Sequence, residues 1–77
     1  MFLYHSVRQK MFKPELGSYI TFGLLALQLL SGRCHRVCLV PDVSTSEAFV
    51  RSLAAQCTAA QLDPRQLEDV IDDALAF

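Results

Sequence analysis

Apolar and polar residues alternate loosely with a period close to two over residues 2–12, which is the pattern of a β-strand. Over residues 2–12 one side of the alternation is mostly apolar and includes His5, while the other side is mixed. The segment Lys13-Pro14-Glu15-Leu16-Gly17 follows. Its proline and glycine predict a loop that returns the chain into a second strand.

Residues 18–30 form a second, longer apolar segment. The period of its leucine-rich part, residues 24–30, is compatible with either a strand or a helix. Gly23 is unfavourable inside a helix, and Ser31-Gly32 directly afterwards is typical of a tight hairpin turn. We therefore expect a long central strand with apolar residues on both of its sides.

A third strand is predicted over residues 33–40, because Pro41 cannot donate to a sheet ladder and should end it. Beyond this point the apolar period changes to about 3.6, the period of a helix. Ser44 and Glu47 fit a capping box, in which each residue satisfies a free amide of the first turn. This motif predicts a helix over residues 45–60.

A second helix is predicted over residues 64–76, after a short connection that makes the two helices neighbours. Asp63 is suited to cap it, and Pro64 is suited to its first helical position. The apolar stripes of the two helices should meet the sheet. Their members are Phe49, Leu53, Cys57, Leu67, Val70, Ile71 and Leu75.

These elements predict an α+β fold, a three-stranded antiparallel β-meander followed by a two-helix hairpin packed on one face (βββαα). We expect a single domain over residues 1–77, with a β-sheet half at 1–40 and a helical half at 41–77. Two helices cover one face of three strands, while the central strand keeps apolar residues on the other face. This predicts a homo-oligomer that associates through the sheet.

The net charge of −1 conceals an uneven distribution. Basic residues dominate positions 1–36, and carboxylates dominate positions 37–77. The basic residues of the first part are Arg8, Lys10, Lys13, Arg33 and Arg36. Because nucleic-acid-binding domains are usually basic throughout, this layout favours docking between protein surfaces.

Three cysteines, an odd number, argue against a disulfide framework and favour reduced thiols in the cytoplasm. The apolar run within residues 19–34 follows basic residues and is similar to the core of a targeting segment. It contains Gln28 and is shorter than the roughly 20 apolar residues that span a bilayer, so we expect no membrane span.

The second half resembles a family of small bacterial domains of unknown function. The residues that carry the resemblance are Asp42-Val-Ser44, Leu62-Asp-Pro64 and Asp69-Val-Ile-Asp-Asp73, within residues 41–75. In that family a short β-segment leads through an Asp-Ile/Val-Ser step into two helices. The resemblance implies a cytoplasmic bacterial protein with strands before helices, and it brings no activity, cofactor or catalytic residue.

The segment Cys34-His35-Arg36-Val37-Cys38 contains residue types that bind zinc or act as nucleophiles. On a regular strand Cys34 and Cys38 share a face but lie about 13 Å apart, too far to bind one ion, and His35 faces the other side. Only a turn or a helix at residues 34–38 would bring them together, and Cys57 and His5 would then be the obvious further ligands. We predict no catalytic, cofactor-binding or metal-binding residues.

Two surfaces remain as candidates for binding. The first is the acidic face of the last helix, a possible docking face for a protein partner or a second copy: Glu68, Asp69, Asp72 and Asp73. The second is a basic and aromatic set: Tyr4, Arg8, Lys10, Phe12, Arg33 and Arg36. Four of these, Tyr4, Arg8, Lys10 and Phe12, share one strand face, which is the arrangement that binds single-stranded nucleic acid. We expect a small non-enzymatic interaction or regulatory protein, with nucleic-acid binding as the alternative.

Overall fold

A computed structural model describes residues 1–76, which form one antiparallel sheet followed by helices. The strands are β1 (Phe2–Lys13), β2 (Gly17–Leu30) and β3 (Arg33–Ser44), in the spatial order β1-β2-β3. The helices are α1 (Glu47–Ala60), a 3₁₀ turn (Pro64–Gln66) and α2 (Leu67–Leu75). The predicted α+β class is confirmed, and residues 24–30 belong to the central strand.

Two hairpin turns join the strands, and both rely on backbone with positive φ. Ser31 and Gly32 have φ of 51° and 74°, which is the conformation of a two-residue type I′ turn. Gly17, with φ of 75°, closes the turn between β1 and β2. Glycine adopts this conformation without steric cost, which is why the turns fall where the sequence predicts them.

The first helix begins two residues later than the capping box predicts. Ser46 is its N-cap and accepts a hydrogen bond from the Phe49 amide at 3.2 Å. Ser44 is the last residue of β3, and its hydroxyl accepts from the Ser46 amide at 3.0 Å, so the predicted cap at Ser44 was wrong. Asp63 caps the next turn as predicted, although that turn is 3₁₀ and α2 begins only at Leu67.

The prediction that β3 ends before Pro41 was also wrong, because the strand continues through a bulge. Residues 41–43 lie opposite the single residue Gly23, between regular pairs on either side. Asp42 adopts the left-handed conformation within the bulge, with φ of 52°. A proline is tolerated here because β3 is an edge strand and the bulge interrupts the ladder.

The core lies between the helices and one face of the sheet, which we call the inner face. Its sheet residues include Tyr4, Leu24 and Ala26, all at most 4% exposed. The helices contribute the buried side chains Val50, Leu53, Ala54, Cys57, Leu67 and Ile71. Of the helical residues expected to meet the sheet, Phe49 and Val70 pack at the margin of the core. Leu75 does not, because it is 51% exposed at the end of α2.

Side chains of α1 and its C-cap cover the first part of the free edge of β1. Gln61 accepts from the Phe2 amide at 2.8 Å and donates to the Phe2 carbonyl at 2.9 Å. The Thr58 hydroxyl accepts from the Tyr4 amide at 2.9 Å. Backbone groups on a sheet edge can pair with another chain, so these contacts close part of that edge.

Candidate functional site: the outer face of the sheet

The opposite face of the sheet, which we call the outer face, has no helix or strand of residues 1–76 packed on it. Side chains that are paired across antiparallel strands point to the same side, so the strand register identifies the residues of each face. Most apolar residues of the outer face are half-buried by their own neighbours, and Leu29 is 37% exposed. The half-buried ones are Leu3, Val7, Met11, Leu25, Leu27 and Leu39.

A row of three paired residues crosses the middle of the outer face. His5 of β1 pairs with Leu25 of β2, and Leu25 pairs with Leu39 of β3. His5 is exposed, whereas the two leucines are half-buried. The prediction that His5 lies on the apolar side of the first strand is confirmed by this register. Its imidazole is the only polar group in a row of leucines.

A polar network closes the outer face at its far end, around the bulge of β3. The Gln9 side chain accepts from the Asp42 amide at 2.9 Å, and the Tyr19 hydroxyl donates to Asp42 Oδ2 at 2.8 Å. The neighbouring Thr21 and Tyr19 hydroxyl groups lower the pKa of the Asp42 carboxyl. Gly23 leaves room for the Gln9 side chain, because a Cβ at position 23 would lie 2.7 Å from Gln9 Oε1.

The bulge at Val37 changes the faces on which the cysteines of β3 lie. Cys38 pairs with Ala26, but Arg36 pairs with Leu27, so Val37 is an extra residue in the strand. Cys38 therefore faces the core, and Cys34 faces the outer side. The prediction that the two cysteines share a face was wrong, because it assumed an uninterrupted period of two.

The same shift places His35 on the inner face, where it pairs with Gln28. His35 thus shares its face with Cys38 and not with Cys34, contrary to the prediction that it turns away from both. All three cysteines are free, and burial raises the pKa of the Cys57 thiol. Within residues 1–76 there is no cluster of three or more His, Cys, Asp or Glu side chains that could hold a metal ion.

The basic and aromatic set is divided between three places. Tyr4 is 4% exposed, and its hydroxyl donates to the Leu62 carbonyl, so its ring is not accessible for stacking. Arg8, Lys10 and Phe12 lie on the exposed end of β1. The other two members of the set, Arg33 and Arg36, are exposed at the opposite end of the sheet, on β3.

The four carboxylates of the acidic set, Glu68, Asp69, Asp72 and Asp73, are all exposed on α2, on the far side of the helices from the sheet. The basic residues of the helical half already have local partners. Arg51 pairs with Glu47 at 3.3 Å and Arg65 with Asp63 at 2.8 Å, so neither neutralises the α2 carboxylates. The helical side of the molecule is therefore negative, and the outer face is not.

Two grooves border the helices. One, of about 310 Å³, lies between Ser46 and Phe49 of α1 and the end of α2. The other, of about 250 Å³, lies between the two helices and is lined mostly by apolar side chains, among them that of Cys57. Neither combines a nucleophile with a base, which nucleophilic catalysis requires.

Comparisons of the chain with protein-family models, with curated proteins and with solved structures found no match. Among residues 1–76, none of the helices has the length and apolar character needed to cross a bilayer.

Proposed function

We propose that this protein is a small non-enzymatic interaction domain that self-associates by packing its outer face against that of a second copy. The observation that carries the proposal is the group of apolar side chains on the uncovered outer face, centred on Leu25 and Leu39. Antiparallel sheets that pack face to face form a stable two-layer core. The helices of both copies would then lie on the outside of the pair.

The area of the outer face is sufficient for a weak dimer. The strands have 12 to 14 residues, and three strands spaced about 4.8 Å apart present a face of roughly 500 Å². Two such faces together remove on the order of 1,000 Å² from water, which is at the lower limit for specific interfaces. We therefore expect a dimer that dissociates in the micromolar range.

The charges of the molecule favour a second copy as the occupant. Contact through the outer faces places the acidic α2 surfaces of two copies on opposite sides of the pair, so their repulsion is small. Arg36 lies on an edge strand, from which its long side chain can reach water. A partner that bound through its own charges would find few opposite charges on this apolar face.

Light scattering across a concentration series tests the proposal. The wild type should show a rise from monomer to dimer mass, and Leu25→Glu should remain a monomer because it buries a carboxylate in the interface. Ile20→Glu is the matched control, since Ile20 is 37% exposed and lies on the inner side, where it pairs with Lys10. A strictly monomeric wild type, or equal loss of dimer in both variants, would overturn the proposal.

Single-stranded nucleic-acid binding is the second candidate, and the exposed end of the first hairpin favours it. The β2–β3 pairing ends at Phe22, so Lys10 and the 70% exposed Phe12 extend beyond the third strand, next to Arg8. A basic strand with an exposed aromatic ring can neutralise phosphates and stack a base. Salt-sensitive anisotropy of a mixed-sequence oligonucleotide, abolished by Lys10→Glu, would support this function. No binding at low salt would exclude it.

The proposal also covers the family to which the chain belongs and the cellular compartment in which it functions. We propose that it is a divergent member of the family of small bacterial domains that residues 41–75 resemble. Its free thiols are typical of a reducing compartment, and on that basis we propose a cytoplasmic location.

A further inference from the structure

The row that crosses the middle of the outer face contains a titratable group. His5 is exposed on the edge strand β1 and is paired directly with Leu25 of the central strand, within the surface that the proposed dimer would bury. The adjacent outer side chains, Leu3, Val7 and Leu25, cannot form hydrogen bonds with an imidazolium ion. A neutral imidazole can be buried at moderate cost, whereas burial of a charged ring without a partner is strongly unfavourable.

The ionisable groups nearest to His5 on this face offer it no opposite charge. On β3 the neighbours are Arg36, which is also cationic, and Cys34. On β1 and β2 the adjacent outer residues are the apolar Leu3, Val7 and Leu27. The helices lie on the other side of the sheet, so their carboxylates do not face the imidazole.

Asp42 is the carboxylate at the far end of the outer face, and its own hydrogen bonds already engage it. It accepts from the Tyr19 hydroxyl at 2.8 Å, beside Lys13, whose ammonium lies 5.6 Å from the centre of the Tyr19 ring. It is also separated from His5 along the sheet, because Gln9, whose side chain bonds the Asp42 amide, is four positions further along β1.

We propose that protonation of His5 opposes association through the outer face, so that the protein is dimeric near neutral pH and dissociates in mildly acidic solution. This inference rests on the proposed function, because it concerns the same interface. Histidine is the side chain whose charge ordinarily changes in this pH range. An ordinary histidine changes charge near pH 6.5 in water. If it binds no proton in the interface, linkage predicts that each copy lowers the affinity of the dimer about tenfold at pH 5.5. With two copies of His5, the dimer dissociation constant should rise by up to about 100-fold between pH 7.5 and pH 5.5.

The chain offers a matched control, since its two histidines lie on opposite faces of the sheet. Sedimentation velocity should be measured at pH 7.5 and pH 5.5 for the wild type, His5→Gln and His35→Gln, with circular dichroism to verify folding at each pH. Wild type and His35→Gln should dissociate at pH 5.5, and His5→Gln should remain dimeric at both values.

The outcomes separate this inference from the proposed function. A wild type that is dimeric at both pH values, or tighter at pH 5.5, would overturn the role of His5 while leaving the dimer in place. Loss of the pH dependence in His35→Gln, with its retention in His5→Gln, would also overturn it. A wild type that is monomeric at both values would overturn the proposed function, and the inference with it.

Discussion

The side-chain amide of Gln61 forms hydrogen bonds with both backbone groups of Phe2, accepting from its N–H at 2.8 Å and donating to its carbonyl at 2.9 Å. This contact joins the end of α1 to the start of β1, residues that are far apart in the sequence. Gln61 adopts the αL conformation, with φ of 50°, and its backbone N–H donates to the Cys57 and Thr58 carbonyls at the end of α1. One residue therefore ends the helix and covers the sheet edge.

Replacement of Gln61 by alanine should destabilise the fold. The variant loses two hydrogen bonds to an exposed edge and a third to the Thr58 carbonyl, at 2.8 Å. Water can replace them in part, so we expect a loss of about 1 kcal/mol in the free energy of unfolding. Urea denaturation followed by circular dichroism measures this change. Gln56→Ala on the same helix is the control, because Gln56 makes only a 3.4 Å contact with Ser52 and should change stability by less than about 0.5 kcal/mol. Equal effects of the two substitutions would contradict the assigned role of Gln61.

Gly23→Ala should be strongly destabilising, although the backbone there has ordinary strand geometry. The new methyl group would lie 2.7 Å from Gln9 Oε1 and 2.8 Å from the Val40 carbonyl oxygen. Overpacking of this kind costs about 1–3 kcal/mol, and we expect the upper part of that range because one neighbour is backbone. Thermal unfolding should show a lower Tm. Gly23→Ala combined with Gln9→Ala should recover only part of the loss relative to Gln9→Ala alone, and complete recovery would show that the Val40 contact is unimportant.

The stability of the protein should fall in alkaline solution because Tyr4 is held neutral in the folded state. Burial, followed by the nearby Cys57, Cys38 and Asp63 groups, raises the pKa of Tyr4 from 10.0 to about 12. The folded state therefore keeps Tyr4 neutral where the unfolded chain already ionises. The stabilisation is fully present below pH 10 and is lost as the pH rises from 10 to 12.

Tyr4→Phe separates this effect from general alkaline unfolding. The variant lacks the hydroxyl that donates to the Leu62 carbonyl, so it should be less stable at pH 7 by about 1 kcal/mol. Between pH 10 and pH 12 its stability should decline less steeply than that of the wild type, as measured by urea unfolding at each pH. Parallel curves for the two proteins would contradict the assignment.

The order of elements follows from the sequence because each depends on local signals. The period of two, the Ser31-Gly32 turn and the Asp63-Pro64 start are each contained within a few residues, and all three appear in the structure. The uncovered apolar face also follows from the sequence. The central strand β2 has apolar residues on both sides, and a hairpin of two helices covers only one side of the sheet.

The details that the sequence does not reveal are those that depend on pairing between distant residues. Val37 carries no local sign of a bulge, yet the bulge reverses the face of every residue from Arg36 back to the turn. Pro41 indicates a break in the ladder, but the continuation of β3 through Asp42 depends on Gln9 and Tyr19 of the other strands. The capping box with Glu47 favours Ser44 by sequence, but Ser46 is also a residue type suited to cap a helix, and the extension of β3 through Ser44 decides between them.

The central claim is that the outer face is buried against the same face of a second copy. Isotope-filtered nuclear Overhauser spectroscopy on an equal mixture of ¹³C-labelled and unlabelled protein tests it directly, at pH 7.5 and a concentration well above the dissociation constant. We predict intermolecular effects among the methyl groups of Leu3, Leu25 and Leu39, and none involving Ile71 in the core. Intermolecular effects confined to α2, or none at all in a sample that sediments as a monomer, would contradict the account.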